Sequence, residues 1–147
     1  IVDNMDPYYT DFWKNRQDRD AFELYFKTLL EGLLEFSQID TLGHLDYVVR
    51  YSPNRDSNYS PRDYQDVIDE ILKFIIEKEI KLEINTSNLS KGFDFFNPHT
   101  DIIKRYKELG GKYVTLGSDA HKAEYIGYGF DKAYEIANSF DLKIFTL

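Results

Sequence analysis

Apolar residues recur along this chain in two alternating patterns. Over residues 20–36 they fall at every third or fourth position, the spacing that places side chains on one face of a helix. The same spacing follows Ser60 and Pro61 and recurs over residues 97–111 and 130–140. These patterns predict amphipathic helices. The apolar face of the first consists of Phe22, Phe26, Leu29, Leu30 and Leu33, and that of the second of Val67, Ile68, Ile71, Leu72 and Ile75.

Capping residues indicate where two of these helices begin. Asp20, followed three positions later by Glu23, resembles a capping box, so we expect Asp20 to be the N-cap of the first helix. Asn97 with Pro98 in the first turn predicts the start of the third helix, and the glycine pair at 110–111 predicts its end.

Short β-rich runs separate the helices. The predicted strands are residues 39–49, 80–87, 112–121 and 142–147. Strands that alternate with helices in this way build βαβ units, in which the strands are parallel. We therefore predict an α/β fold with a parallel sheet or barrel, in a single domain over residues 1–147.

Composition narrows the classes of function. The formal net charge of −8 disfavours binding to nucleic acid or to an anionic membrane, so neither partner is expected. Because the overall charge is negative, an anionic small-molecule substrate would need a local cation, either Arg or a metal ion, to be attracted to its site. The chain has no cysteine, so any metal must be held by His, Asp or Glu. No apolar run approaches the length of a membrane span, and a cytoplasmic location is the default expectation.

Polar side chains cluster where three predicted strands end. They are His44, Asp46, Glu83, Asn85, Asp119 and His121. In parallel α/β folds, functional groups collect at the carboxyl ends of the strands. In an extended strand Asp119 and His121 would point to the same side, where a carboxylate oxygen and an imidazole nitrogen form half of a metal site.

Three other candidate site residues can each be interpreted in two ways from the sequence. His44 fits a structural histidine bonded to a carbonyl as well as a metal ligand. Glu83 fits a buried, paired carboxylate or a residue that orients ligands. Arg50 fits a solvated side chain or a guanidinium that contacts a phosphate oxygen. His99 is predicted to be solvated. Nearby aromatic side chains are interpreted as packing; they are Tyr47, Tyr51, Phe93, Phe95 and Phe96.

Three segments together carry a resemblance to a known family. The segments "TLGHLDYVVRYSPN", "LEINTSNLSKG" and "YVTLGSDAHKAEYIGYGFDKA" resemble the histidinol-phosphatase branch of the PHP (polymerase and histidinol phosphatase) superfamily. The resemblance implies a distorted TIM-like (βα) barrel of parallel strands around two or three divalent metal ions, which could be Zn, Mn or Fe. It implies hydrolysis of L-histidinol phosphate to L-histidinol and phosphate, a reaction of histidine biosynthesis.

The resemblance also assigns residues. Carried over position by position, it makes His44, Asp119 and His121 metal ligands, with Asp119 and His121 as the catalytic pair. It makes Arg50 a contact of the substrate phosphate. The family follows its E-[IV]-N-T-S motif with Gly-Leu-Arg, whose Arg helps to bind substrate. This chain has Asn-Leu-Ser at 88–90, which leaves Lys91 as the available replacement.

A larger departure lies upstream of these motifs. The family begins with a His-x-His motif and further ligands, whereas no histidine precedes His44 here. We therefore expect the chain to correspond to the C-terminal half or more of a PHP domain, with the first strands missing. Such a chain would hold at most one metal ion and show little activity alone.

An incomplete barrel also leads to an expectation about association. Open sheet edges and exposed apolar helix faces promote contacts with other chains. We expect a homo-oligomer, or association with the missing N-terminal part. Two alternatives stay open: a PHP-type nuclease or phosphoesterase acting on another substrate, and a non-catalytic interaction domain that has lost its metal cluster.

Overall fold

The computed structural model describes residues 1–145, and positions 146–147 of the predicted last strand lie outside the described residues. Its helices are α1 (Thr10–Trp13), α2 (Asp18–Glu35), α3 (Gln65–Glu77), α4 (Ser87–Ser90), α5 (Thr100–Glu108) and α6 (Phe130–Ser139). Its strands are β1 (Thr41–Leu42), β2 (Lys81–Asn85), β3 (Tyr113–Gly117) and β4 (Lys143–Ile144). Short 3₁₀ helices cover Tyr47–Tyr51, Pro61–Tyr64 and Ala123–Tyr125.

Within the described residues, the strands form one parallel sheet in the order β1-β2-β3-β4. The pairing of β2 with β3 runs from Leu82 opposite Val114 to Asn85 opposite Gly117. The residues that follow these two strands therefore meet at the same end of the sheet. The predicted α/β fold with parallel strands is confirmed.

The helix faces pack as their periodicity predicts. The buried residues of α2 include Phe22, Phe26 and Leu33, and those of α3 are Ile68, Ile71, Leu72 and Ile75. The rest of the two predicted faces, Leu29, Leu30 and Val67, is partly buried against the same core. Burial of a side chain of this size contributes about 1.5–3 kcal/mol, so these faces fix both helices to the core.

The predicted N-cap of α2 is wrong by three residues. The helix begins at Asp18 with Gln17 as its N-cap, so Asp20 lies inside the first turn. Glu23 forms an ion pair with Lys27 one turn further on, instead of closing a capping box. The pairing of Glu23 across one helical turn leaves its carboxylate unavailable to the helix start.

The predicted cap of α5 is also wrong. Asn97 is extended and exchanges backbone hydrogen bonds with Asn85, at 2.8 and 3.0 Å, so it precedes the helix. The N-cap is His99, whose Nδ1 accepts a hydrogen bond from the Asp101 amide at 3.1 Å. The His99 ring is partly buried beside Phe95 and is not simply solvated, and burial lowers its pKa.

The predicted strands are shorter in the structure than the sequence pattern indicates, and the run 80–87 is a strand only over Lys81–Asn85. The run 39–49 is a strand only over Thr41–Leu42, and the run 112–121 only over Tyr113–Gly117. His44 and Asp119 adopt left-handed backbone conformations, with φ of 57° and 47°, which turn the chain out of a β ladder. Both candidate ligands therefore lie just beyond their strands.

The predicted barrel is not closed within residues 1–145. There, β1 and β4 are the outer strands and pair only with β2 and β3 respectively. Over the same residues, no helix combines the length and apolar character needed to cross a membrane.

Candidate active site

Arg50 is a firmly held polar side chain at the carboxyl end of the sheet. It lies in the 3₁₀ helix Tyr47–Tyr51, and only 3% of its side chain is exposed. Its Nε donates to Asn88 Oδ1 at 2.8 Å, and its Nη2 donates to Ser87 Oγ at 2.6 Å. Two hydrogen bonds from one rigid guanidinium fix its orientation, so Arg50 is not a solvated residue at a strand exit.

The residues that hold Arg50 are themselves held by the end of β2. Asn85 Oδ1 accepts hydrogen bonds from the Ser87 amide at 3.0 Å and from Ser87 Oγ at 2.6 Å. Asn85 Nδ2 in turn donates to Glu83 Oε2 at 3.3 Å. A continuous chain of polar contacts thus links Glu83 through Asn85 and Ser87 to Arg50.

Glu83 lies against the two strands that flank β2. A Cβ added at Gly43 would lie 2.8 Å from Glu83 Oε2, and a Cβ added at Gly117 would overlap Glu83 Oε1. The carboxylate therefore occupies space that only glycine leaves open on both neighbours. Of the two interpretations of Glu83, this arrangement favours the residue that orients others, because its hydrogen bond leads to Asn85.

Thr86 fixes the loop that carries the second group of candidates. Its amide donates to Gly117 O at 2.8 Å, and its hydroxyl donates to Tyr128 O at 2.6 Å. The same short segment thus joins the end of β3 to the far end of the loop at 118–129. The hydrogen bonds of Thr86 therefore stabilise the conformation of the loop at 118–129.

Asp119 and His121 lie in this loop and not on a strand. His121 Nδ1 lies 2.9 Å from the Asp119 carbonyl oxygen and 3.9 Å from Asp119 Oδ1. Because a carbonyl can only accept, a neutral His121 ring carries its proton on Nδ1 in this contact and keeps a lone pair on Nε2. Most of the His121 side chain is exposed, at 85%, whereas Asp119 is 26% exposed.

His44 presents its ring between the core and the open end of the sheet. Its carbonyl accepts a hydrogen bond from the Tyr25 hydroxyl at 2.7 Å, which stabilises the left-handed backbone at this residue. Its Nδ1 is buried without a hydrogen-bond partner among the described residues. Nδ1 of His44 therefore does not pair with a backbone carbonyl, which was the structural interpretation of this residue.

Asp46 is a buried residue that connects two segments of the chain. It is 1% exposed, and its Oδ2 accepts hydrogen bonds from the His99 amide at 2.7 Å and from the Tyr59 hydroxyl at 3.2 Å. Burial raises the pKa of this carboxyl to about 7. Asp46 joins the loop before α5 to the 3₁₀ helix that carries Arg50, and it does not line the open groove.

An open groove of about 710 Å³ brings the predicted site residues together. Its lining includes all four of the predicted site residues, which are His44, Arg50, Asp119 and His121. Tyr47 and Tyr51 also line it, with their rings packed 4.8 Å apart, and Phe93, Phe95 and Phe96 are buried as predicted. Arg50 Nη1 lies 3.6 Å from Asp119 Oδ2 across this groove.

The donor atoms fit a metal ion in part. Imidazole nitrogen and carboxylate oxygen suit a divalent ion, and the unpaired Nδ1 of His44 is a free donor. Within residues 1–145, however, no group of three or more His, Asp or Glu side chains lies close enough together to hold a metal ion. His44, Asp119 and His121 share a groove but do not form a three-ligand site in this arrangement.

Several groove residues could not be found from the motifs. Asp6 and Tyr8 reach the groove from the segment before α1, and the Tyr8 ring lies 5.2 Å from that of Tyr51. Ser87 ends the recognised E-I-N-T-S motif and Asn88 follows it, but the sequence did not indicate that they hold Arg50. No local pattern marks these positions because their role depends on contacts 37 to 38 residues away along the chain.

Comparison with known proteins identifies the class to which this fold and groove belong. The family model described as PHP domain matches residues 2–87. That match covers more than half of the chain, and the chain belongs to the PHP domain family.

Particular relatives share one named activity. The chain is 41% identical over 143 residues to a protein of Clostridium acetobutylicum named "Probable histidinol-phosphatase", an alignment that covers 97% of this chain and 56% of the relative. It is 34% identical over 117 residues to the histidinol-phosphatase of Lactococcus lactis subsp. lactis, covering 78% of this chain and 42% of that one. The chain spans about half the length of the curated relatives it matches.

A solved structure extends the comparison to the fold. The crystal structure of histidinol phosphate phosphatase from Lactococcus lactis subsp. lactis superposes with a TM-score of 0.82 at 27% identity. The superposition covers 98% of this chain and 55% of that chain, and that protein is complexed with zinc, L-histidinol and phosphate. The resemblance to the histidinol-phosphatase branch of the family is confirmed.

Proposed function

We propose that this chain carries part of the active site of a metal-dependent phosphomonoester hydrolase that acts on L-histidinol phosphate. The main evidence for this proposal is that the fixed Arg50 guanidinium lines the same groove as His44, Asp119 and His121. In the reaction, the oxygen of water forms a bond to phosphorus as the ester P–O bond breaks. The products are inorganic phosphate and L-histidinol, whose hydroxyl takes a proton from the attacking water.

Arg50 is proposed to bind and orient the phosphoryl group. Its Nε and one Nη2 hydrogen are committed to Asn88 and Ser87, which leaves Nη1 on the groove side, where it lies 3.6 Å from Asp119. A cation held in place before the substrate arrives stabilises charge on the phosphoryl oxygens without reorganisation during the reaction. The fixed geometry of Arg50 supports this role.

Asp119 and His121 are proposed as the catalytic pair and, with His44, as metal-binding residues. The unprotonated Nε2 of His121 can bind a cation or accept a proton, because Nδ1 is engaged by the Asp119 carbonyl. The zinc in the Lactococcus lactis structure supports divalent metal ions as the cofactor. When bound, such ions supply Lewis acidity toward phosphoryl oxygens and lower the pKa of water. The donors described for residues 1–145 make an incomplete set, so further ligands would be needed for a tightly held cluster.

The test is the binding and hydrolysis of L-histidinol phosphate by the 147-residue protein, with and without added Zn²⁺ or Mn²⁺. Calorimetry should detect binding, and Arg50→Met should weaken it by about tenfold to a hundredfold, since charged hydrogen bonds contribute about 1.5–3 kcal/mol each. Arg19→Met, which removes an exposed arginine from α2, is the matched control and should bind as the unmodified protein does. Equal binding by all three proteins would overturn the proposal.

Activity is measured in the same samples through released phosphate. Any hydrolysis should require added divalent metal and should disappear in Asp119→Asn. Adding the polypeptide that corresponds to the other half of the Clostridium acetobutylicum relative should raise the rate if the missing donors lie there. Hydrolysis that persists in Asp119→Asn would argue against the proposed catalytic pair while leaving the role of Arg50 intact.

A further inference from the structure

The loop that follows the 3₁₀ helix with Arg50 is anchored by a single carboxylate. Asp18 lies in the first turn of α2 and is only 8% exposed. Its Oδ1 accepts a hydrogen bond from Ser52 Oγ at 2.8 Å. Its Oδ2 accepts from Asn54 Nδ2 at 3.0 Å and from Asn58 Nδ2 at 2.9 Å. One side chain of α2 thus holds three side chains of the loop.

The charge of Asp18 makes this anchor strong. All three donors are neutral, so the negative charge stays on the carboxylate and strengthens each hydrogen bond. The first turn of a helix also favours a negative charge, because the helix dipole has its positive end there. A displaced donor would leave part of a buried charge unpaired, which is costly. The carboxylate therefore favours one arrangement of the loop.

Ser52 places this anchor next to Arg50. It is the C-cap of the 3₁₀ helix Tyr47–Tyr51, and its amide donates to Val49 O at 3.3 Å. Ser52 follows Arg50 by only two residues in the chain. The hydrogen bond between Ser52 and Asp18 therefore fixes the backbone from which the Arg50 side chain extends.

The same loop is also tied to α4. Arg55 Nη2 donates to the carbonyl of Lys91, the residue directly after α4, at 3.1 Å. Helix α4 contains Ser87 and Asn88, which hold the guanidinium of Arg50. The backbone of Arg50 and its guanidinium are thus fixed from two sides, by α2 and by α4.

We propose that Asp18 is a positioning residue for Arg50, acting through Ser52 on the 3₁₀ helix that carries the arginine. The inference rests on the proposed function, in which Arg50 binds the phosphoryl group. Asp18 lies outside the groove lining described for residues 1–145, so its effect on a ligand there is indirect. It sets the place of the Arg50 backbone and hence the reach of Nη1 into the groove, and a rigid guanidinium binds phosphate only where its donors are well placed.

The first measurement is the binding of inorganic phosphate to the 147-residue protein, by calorimetry at low ionic strength in metal-free buffer. Asp18→Ala and Ser52→Ala should each raise the phosphate Kd about threefold to tenfold, since a displaced guanidinium loses part of a charged contact. Asp18→Asn keeps an acceptor oxygen and should lie between Asp18→Ala and the unmodified protein. The double variant should bind no more weakly than Asp18→Ala alone, because both changes remove the same contact.

Asp69→Ala is the matched control for a general loss of stability. The Asp69 carboxylate is 13% exposed and accepts two hydrogen bonds from Arg105, at 2.8 and 2.6 Å, outside the described groove lining. Its loss should lower the thermal midpoint while the phosphate Kd stays unchanged. Every Kd is measured at a temperature where circular dichroism shows the variant folded. An equal rise of Kd in Asp69→Ala and Asp18→Ala overturns the inference.

The second measurement observes Arg50 directly and needs no ligand. The Nε–H group of Arg50, which donates to Asn88 Oδ1, gives a ¹⁵N–¹H signal that is identified by its absence from Arg50→Met. In Asp18→Ala and Ser52→Ala this signal should shift or exchange faster with solvent, and in Asp69→Ala it should stay in place. An unchanged signal in Asp18→Ala overturns the inference.

Together the two measurements separate this inference from the proposed function. If the signal moves in Asp18→Ala but the unmodified protein binds no phosphate, Asp18 positions Arg50 and the phosphate site is wrong. If Arg50→Met loses phosphate while Asp18→Ala and Ser52→Ala bind it normally, the phosphate site stands and the role of Asp18 is wrong.

Discussion

Arg50 and Asp119 face each other across the groove, with Nη1 of the guanidinium 3.6 Å from Oδ2 of the carboxylate. The two side chains come from different parts of the chain, one from the 3₁₀ helix after β1 and the other from the loop after β3. In the metal-free protein the carboxylate competes with any anion for the cation. If the proposed roles hold, we expect Asp119 to favour metal binding and to oppose phosphate binding.

Asp119→Asn should accordingly strengthen phosphate binding while it weakens metal binding. Removing a repulsion of about 1 kcal/mol at a solvent-open groove corresponds to about a fivefold lower phosphate Kd in metal-free buffer. Affinity for Zn²⁺, measured by competition with a chelating dye, should fall. If Asp119→Asn left both affinities unchanged, Asp119 would have no electrostatic role in the groove.

Ser87→Ala should disturb Arg50, because it removes one of the two side chains that hold the guanidinium. The hydroxyl accepts from Arg50 Nη2 at 2.6 Å and donates to Asn85 at 2.6 Å, so its loss leaves a buried N–H of the guanidinium unpaired. We expect about 1–3 kcal/mol lower stability to unfolding by urea and weaker phosphate binding. Ser139→Ala is the control, because that hydroxyl is exposed at the end of α6 and should cost little. A variant as stable as this control would show that Ser87 does not hold the arginine.

Gly117→Ala should destabilise the end of β3. A methyl group at this position would overlap Glu83 Oε1, whereas a methyl group at Gly32 in α2 would meet nothing within 4 Å. We expect Gly117→Ala to lower the free energy of unfolding by about 1–3 kcal/mol. Gly32→Ala should raise it by about 0.5–1 kcal/mol, since alanine is the better helix former.

The overlap can be tested further with a double variant. Glu83→Ala combined with Gly117→Ala should recover part of the lost stability, because the clashing carboxylate is gone. No recovery, or equal effects of the two single glycine substitutions, would contradict the close packing of Glu83 against β3.

Asp46 should make stability depend on pH in a particular direction. Burial raises the pKa of this carboxyl from its usual 3.8 to about 7 in the folded protein. The folded state therefore binds the proton more tightly than the unfolded state, and the contribution of Asp46 is fully present below about pH 4. That contribution is lost as the pH rises from about 4 to about 7.

Asp46→Asn isolates this contribution, since the amide oxygen can still accept from the His99 amide and the Tyr59 hydroxyl. Between pH 4 and pH 8, the unfolding free energy of Asp46→Asn should rise by about 1–4 kcal/mol relative to that of the unmodified protein. Taking the difference cancels the opposite trend expected of Asp18 and Asp69, whose pKa values are lowered by hydrogen bonds. Parallel stability curves would refute the effect.

Exposed apolar side chains near β1 should promote association. Leu34 is 62% exposed and Phe36 75% exposed at the end of α2, and β1 is an outer strand of the described sheet. Light scattering should show a mass above 17.4 kDa that increases with protein concentration. Leu34→Ser with Phe36→Ser should reduce that mass, whereas Tyr134→Ser on α6 should not. A constant mass of one chain at all concentrations would refute association.

The hydrophobic pattern was sufficient to predict the helices and the parallel sheet. Ile68, Ile71, Leu72 and Ile75 are buried together because their spacing matches the helical repeat, a property of the local chain. Strand ends were less predictable. The apolar run around His44 continues the alternation of a strand, but its left-handed backbone is stabilised by a hydrogen bond from Tyr25, 19 residues earlier in the chain.

By itself, the sequence determined the α/β class, the helix faces and the motifs that assign this chain to the PHP domain family. Those features depend on residue type and spacing, which are local. Only the tertiary structure decided that Arg50 is buried and oriented by Ser87 and Asn88, and that Glu83 occupies the space left by two glycines. Such contacts join strands and loops that are distant along the chain, and parallel pairing of β2 with β3 brings them together at one end of the sheet.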